Sequence, residues 1–332
     1  MHIDWIMVLA TFGVGIVVGL TGMGGGALMT PVLVLFFNIP PLTAVSSDLV
    51  ASAVMKPVGG AVHLRRGTVN LALVRWLCVG SIPSAFAGVL IARSLGDGKQ
   101  VQDTIRVALG VALLIAATGL AVRAYLRLVE RARRRDGSAD PLPQDRPDVT
   151  VRKLQTVLVG AVGGVVVGMT SVGSGSLIII ALMALYPALK ASQLVGTDLV
   201  QAVPLVASAA LGHILFGDFK LDLTVSLLLG CVPGAYLGAR LSSRAPGGII
   251  RRFLAFVLLA SALKLLNVPT VWTGAVLGTL VVLAPLTWMV IRRMHGFPAL
   301  AKGVFRHHRP ASLAAAGTAA PDGLTVEPER IH

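Results

Sequence analysis

Charge is what this sequence has least of. Asp, Glu, Lys and Arg make up 13% of its 332 residues, about half the share in a soluble globular domain. Too little polar surface remains to coat a globule of this size, which excludes a soluble fold. Cysteine is scarce as well. Cys78 and Cys231 both lie in apolar runs, so a disulfide framework and a cysteine metal cluster are excluded, and both read as small packing residues. No Lys or Arg precedes the first apolar run, MHIDWIMVLATFGVGIVVGL, where Asp4 stands instead. That run is expected to stay in the mature protein and not to be removed as a signal peptide. The chain also lacks a nucleophile elbow, an HExxH motif and a paired histidine–carboxylate motif. No catalytic group set, metal site or cofactor is expected, and an enzyme is the weakest reading.

What fills the chain is hydrocarbon. Hydrophobic residues make up 55% of it, with a mean hydropathy of +0.81. Several runs exceed the roughly 18 apolar residues that mark a bilayer span. They do not alternate apolar with polar, as barrel strands would. The fold class is therefore an all-α polytopic membrane protein. The net charge of +14 comes from arginines between and beyond the apolar runs. Cytoplasmic loops carry them there, so nucleic acid is not the partner; the lipid bilayer is.

The sequence repeats itself. GLTGMGGGAL from Gly19 aligns with GMTSVGSGSL from Gly168, an offset of 149. SDLV from Ser47 aligns with TDLV from Thr197 at an offset of 150, and so do His63 with His213, Gly67 with Gly217, Gly80 with Gly230, Pro83 with Pro233 and Gly88 with Gly238. One inserted residue separates two stretches of constant register, which is the mark of two homologous halves. Helices are expected near 5–21, 27–37, 43–64, 69–93 and 103–126, then 154–170, 176–186, 192–216, 221–240 and 250–267, with an unmatched one at 270–291. The eleven residues of 27–37 rise only about 16 Å, too little to cross a core of about 30 Å. About nine spans follow. The chain divides into a first transmembrane repeat (1–126), a basic cytoplasmic linker (127–153), a second repeat (154–267), an additional transmembrane helix (268–291) and a polar cytoplasmic tail (292–332).

Loop charge sets the orientation. The linker holds Arg131, Arg133, Arg134 and Arg135 and belongs in the cytoplasm. An odd number of crossings per half then puts Arg65, Arg66, Lys190, Arg240, Arg244, Arg251, Arg252 and the tail from Arg292 inside, with Asp218–Asp222 outside. The halves are thus expected to be inverted, in the cell (inner) membrane, with the N-terminus outside and the C-terminus inside. The apolar surface is compatible with a homodimer or a monomer.

Each half breaks its first helix at glycines: Gly22, Gly24, Gly25 and Gly26 after Thr21, and Gly173 and Gly175 after Thr170 and Ser171, with Ser174 and Ser176 beside them. Inverted repeats with interrupted helices are a transporter pattern, with substrate held near the midplane. The short helices that follow would aim their N-terminal amides at that depth, a ready site for an anion. Close helix packing through glycine is the competing reading. The third segment of each half holds the intramembrane ionisable groups. Asp48, Ser52 and Lys56 recur every four residues, on one helix face. Lys56 has Val206 as its repeat counterpart. It either pairs with Asp48 or balances the charge of an anion. Ser47 and Thr197 precede the two aspartates. Asp48, Asp198, His63 and His213 are the candidates for coupling protons. Pro57 and Pro204 point to kinks in these helices.

At these residues the chain resembles the TauE/SafE family of membrane permeases. The resemblance rests on GLTGMGGGALMTPVL near residue 19, SSDL at 46–49, GAVHLRRGTVN at 60–70 and PSAFAG at 83–88, and it covers about residues 5–267. It implies export or uptake of a sulfur-containing anion such as sulfite or an organosulfonate, bound at Thr21–Gly26 and Ser46–Asp48 and, by internal symmetry, at Thr170–Gly175 and Thr197–Asp198. The long linker and the 270–332 extension exceed a minimal member. Two alternatives come from other classes: a divalent-cation transporter with Asp48 and Asp198 as ligands, and a non-transporting scaffold whose basic linker and tail bind anionic lipid or a protein.

Overall fold

The structure, a computed structural model, describes residues 3–21, 25–65, 67, 69–94, 98–135, 150–187, 189, 191–241 and 247–295. Their regular structure is helical: α1 Trp5–Thr21, α2 Gly26–Phe36, α3 Pro41–Arg65, α4 Leu71–Ser94, α5 Lys99–Arg135, α6 Lys153–Thr170, α7 Leu177–Leu185, α8 Ala191–Phe216, α9 Leu221–Leu241, α10 Gly247–Leu265 and α11 Thr270–Met294. Most ends fall within a few residues of the expected ones. The exception is α5, which continues through RARRR to Arg135. Long arginine side chains lose little rotamer freedom in a helix, so nothing in that basic run stops one.

Among the described residues, six helical stretches are long and apolar enough to cross a bilayer: 71–94, 99–122, 153–170, 193–216, 221–238 and 270–294. Helix α3 is not among them. Its Ser46, Ser47, Asp48 and Ser52 are fully buried and Lys56 is 6% exposed, because α2, α8, α9 and α5 pack around it. The outer helices present hydrocarbon instead: Trp5, Val162, Val271 and Trp272 are all exposed. The described part of the chain is a multi-pass membrane protein.

Glycine holds the helices together. On α4, a Cβ at Gly80 would run into the Val157 carbonyl oxygen of α6, and one at Gly88 would come 2.6 Å from the Val165 carbonyl oxygen. On α9, Gly230 and Gly238 stand in the same way against Val8 and Ile16 of α1. The contacted residues are themselves offset by 149, and the glycines by 150. The repeat read from the sequence therefore reappears as one interface built twice. The facing glycines interlock too: Gly160, Gly164 and Gly168 of α6 sit on Leu77, Ser81 and Ala85. Small residues bring helix backbones this close where lipid offers no hydrophobic drive for association.

At the centre, α3 crosses its repeat counterpart α8. Ser46 meets His213 at one end and Gly60 faces Leu199, Val200 and Val203 at the other, so the two run antiparallel. Helix α8 runs parallel to α4, with Gln201 on Ser81, Ser208 on the Ile82 carbonyl and Arg93 on the Phe216 carbonyl. Both α3 and α8 run unbroken through Pro57 and Pro204. Helix α11 lies outside this weave and packs on α10.

Gly88→Ala and Gly238→Ala, measured by thermal unfolding in detergent, should each destabilise the protein by about 1–3 kcal/mol, the cost of overpacking. Gly278→Ala in α11, whose Cβ would meet nothing within 4 Å, should leave the midpoint unchanged or slightly raised.

Candidate functional site

The two glycine breaks touch. Helix α1 ends at Thr21, and α2 starts at Gly26 with Gly25 as its N-cap. Helix α6 ends at Thr170. Ser171 follows in the left-handed region at φ 58°, its N–H bonded to the Val167 carbonyl. Gly173 at φ 133° and Gly175 at φ 97° complete the reversal before α7, a conformation that glycine adopts at least cost. The Thr170 hydroxyl accepts the Val172 N–H at 3.2 Å and steadies the turn. A Cβ at Gly26 would collide with the Ser171 carbonyl oxygen and stand 2.7 Å from its Oγ. Glycine at 26 is what lets one break lie on the other. Gly22 and Gly24 lie outside the described residues.

Asp48 sits at this junction. Its Oδ2 accepts hydrogen bonds from Thr30 Oγ1 of α2 at 2.7 Å and from Ser171 Oγ of the second break at 2.8 Å. Its Oδ1 accepts a longer one from Ser52 Oγ, 3.5 Å away on its own helix. Gly25 flanks the same carboxylate: a Cβ there would come 3.9 Å from Asp48 Oδ1. Two turns along the same face of α3, Lys56 Nζ donates to Ser174 Oγ at 2.5 Å. The second break thus lies along α3, with Ser171 at the carboxylate and Ser174 at the ammonium. Asp48 and Asp198 are both close enough for their charges to act on Lys56. Burying such charges is costly unless hydrogen bonds or opposite charges compensate. Here the sequence spacing of four on α3 and the hydroxyls of the second break supply both.

The other expected residues serve other contacts. Thr197 Oγ1 accepts the Asn70 N–H at 3.0 Å, fixing the start of α4 against α8. His213, fully buried, lies between Ser46 Oγ and the Gly168 carbonyl, each 2.8 Å away, and ties α8 to α3 and α6. Ser47 Oγ is buried with no hydrogen-bond partner among the described residues. Asp198 is fully buried one position from Thr197, and His63 is partly buried near the end of α3. The structure gathers Gly25, Gly26, Asp48, Lys56, Ser171 and Ser174 into one centre and engages Thr197 and His213 in other contacts.

Sequence reasoning missed Thr30. Its signal is a hydroxyl one turn into an otherwise apolar short helix, GALMTPVLVLF. The centre is also one-sided. Under the repeat offsets, Thr30, Ser52, Ser171 and Lys56 become Ile179, Ala202, Gly22 and Val206. In residue order, the hydroxyls that cage Asp48 and the lysine beside it are exchanged for side chains without a polar group.

Comparison with known proteins points to a membrane transporter. The family model described as "Sulfite exporter TauE/SafE" matches residues 7–265. The chain is similar to "Probable membrane transporter protein YjnA" of Bacillus subtilis (strain 168), 40% identical over 261 residues, which are 78% of this chain and 98% of that protein. It is also similar to "Probable membrane transporter protein YdhB" of the same organism, 26% identical over 250 residues, 74% of this chain and 93% of that protein. No solved structure matches it.

Thr30→Val keeps the shape of the side chain and removes a donor to a buried carboxylate. Thermal unfolding in detergent should record a loss of about 1.5–3 kcal/mol, the worth of a hydrogen bond to a charged group. Thr118→Val, which removes an exposed hydroxyl bonded within its own helix, should change stability by less than about 0.5 kcal/mol.

Proposed function

The chain belongs to the sulfite exporter TauE/SafE family of membrane transporters, and we propose that it exports a small sulfur-containing oxyanion, sulfite or an organosulfonate, by alternating access between two inverted halves. The observation that carries this reading is the meeting of the two glycine breaks beside Lys56. The junction brings together a cation, several hydroxyl donors and the N-terminal ends of α2 and α7. Each of these favours an oxyanion, and the dry surroundings strengthen all of them. The sulfur comes from the family description alone; the geometry supports an oxyanion of small size.

Inversion is supported by the antiparallel crossing of α3 and α8, which occupy equivalent places in the two halves. The repeat behind it is supported by the glycine interface that α4 makes with α6 and α9 repeats with α1. Inverted halves cross an odd number of times each, so in this reading α2 and α7 return toward the side from which α1 and α6 enter. Basic loops favour the inner membrane, an outside N-terminus and an inside C-terminus. In this mechanism the halves rock about the junction. The amides and hydroxyls at Gly25–Gly26 and Ser171–Gly175 hold the anion, and Lys56 balances its charge. Among the expected proton carriers, Asp48 bonds Ser171 of the second break directly.

The divalent-cation reading would need Asp48 and Asp198 in one ligand set. Lys56 stands with them, and among the described residues no three His, Cys, Asp or Glu side chains converge. The relatives' names favour transport over a scaffold role.

Purified protein in vesicles loaded with sulfite should release it faster than protein-free vesicles. Lys56→Gln should slow that flux by about tenfold or more, the worth of one charge-assisted hydrogen bond. Unchanged anion flux in that variant, or flux of divalent cations in place of anions, would refute the reading.

A further inference from the structure

The hydroxyls around Asp48 donate to it, and a substrate oxyanion would need the same kind of donor. Thr30 Oγ1 and Ser171 Oγ both point their hydrogens at Oδ2, from α2 and from the second break. Ser52, midway between Asp48 and Lys56 on the same face, points at Oδ1. A carboxylate is itself a small planar oxyanion. Bound to these three hydroxyls, it makes the contacts that a sulfite or sulfonate oxygen would make. Ser174 differs. It accepts from Lys56, so its own hydrogen is left to aim at a ligand.

Resting on the function proposed above, we propose that the Asp48 carboxylate and the substrate oxyanion compete for one set of hydroxyl donors, at Thr30, Ser52 and Ser171. Two anions cannot share these donors in a buried site without strong repulsion. The substrate therefore binds when Asp48 takes a proton from solvent. The carboxylic acid formed carries no charge, releases two of its acceptor contacts and offers one O–H to the ligand. One proton then enters with each anion. The exchange also moves the tie between halves. Thr30 belongs to the first half and Ser171 to the second, and the group that bridges them changes from Asp48 to the substrate.

Among the described residues, other groups also face Asp48 or its neighbours. Lys56, on the same helix, acts on it electrostatically. Asp198 of α8 acts on Lys56. Cys231 of α9 is within electrostatic range of Asp48. Helix α2 and the second break present hydroxyls. His213 bonds Ser46, upstream on α3.

The test is sulfate and methanesulfonate binding to the purified full-length protein in detergent, by calorimetry. Both probes keep a constant charge over the pH range where carboxylates and histidines titrate. For the wild type, the expected Kd falls as pH falls, by up to about tenfold per pH unit for one linked proton. Asp48→Asn should bind about tenfold or more tightly than wild type at the alkaline end, with a Kd nearly independent of pH. Thr30→Val should weaken binding at every pH. Wild-type binding that is flat with pH or strengthens as pH rises overturns the competition, and this needs no variant to fold. So does an Asp48→Asn protein that binds either probe no tighter than wild type; in both cases the anion reading itself stands. If neither probe binds the wild type at any pH, the anion site and the competition fall together.

Discussion

A carboxylate buried in hydrocarbon has to be given hydrogen bonds from somewhere, and Asp48 draws them from three elements at once. Thr30 arrives on a helix that begins only because α1 has been broken at glycine. Ser171 arrives on a residue held in the left-handed region. Both hydroxyls reach the carboxylate from segments that adjoin a glycine break. The glycine breaks and the buried charge are therefore one design: the breaks make room for the donors, and the carboxylate fixes where the breaks must lie. Lys56, reaching Ser174 further along, extends the same arrangement.

Outside that centre the rule is backbone on backbone. Lipid tails give helices no reason to associate, so the attraction must come from close contact. The glycines of α4, α6 and α9 provide it by standing against carbonyl groups of their neighbours. Both readings of glycine hold in this molecule. At Gly80, Gly88, Gly230 and Gly238 it serves packing. At Gly26 it lets two irregular segments meet, and at Gly173 and Gly175 it turns the chain. What separates the cases is whether the residue lies inside a helix or at its break.

Much of the fold was legible because helix length and the repeat are written in the residue order. Apolar runs bounded the helices, and two constant offsets announced the two halves. The basic run that ends α5 misled, because a charge-rich stretch reads as a loop while its residues are good helix formers. The site was legible in part. Asp48 and Lys56 stood out as charges where charge is expensive, and the breaks as glycines where glycine is costly. Thr30 did not stand out, since one hydroxyl in an apolar helix usually bonds its own backbone. The one-sided character of the centre lay in four exchanges, Thr30 for Ile179, Ser52 for Ala202, Ser171 for Gly22 and Lys56 for Val206. Each looks like ordinary drift between repeats until the structure places the first-named residues together.

The crossed pairing of α4 with α6 and α1 with α9 also bears on biosynthesis. Neither half holds both faces of either glycine interface. A chain inserted from its N-terminus carries α1 through the membrane with its docking face uncovered until α9 follows, more than two hundred residues later. The first half is thus a set of inserted helices waiting for a partner. Its assembly is completed by the second half, and a chain cut short in between would leave two matching surfaces open to whatever helices lie nearby.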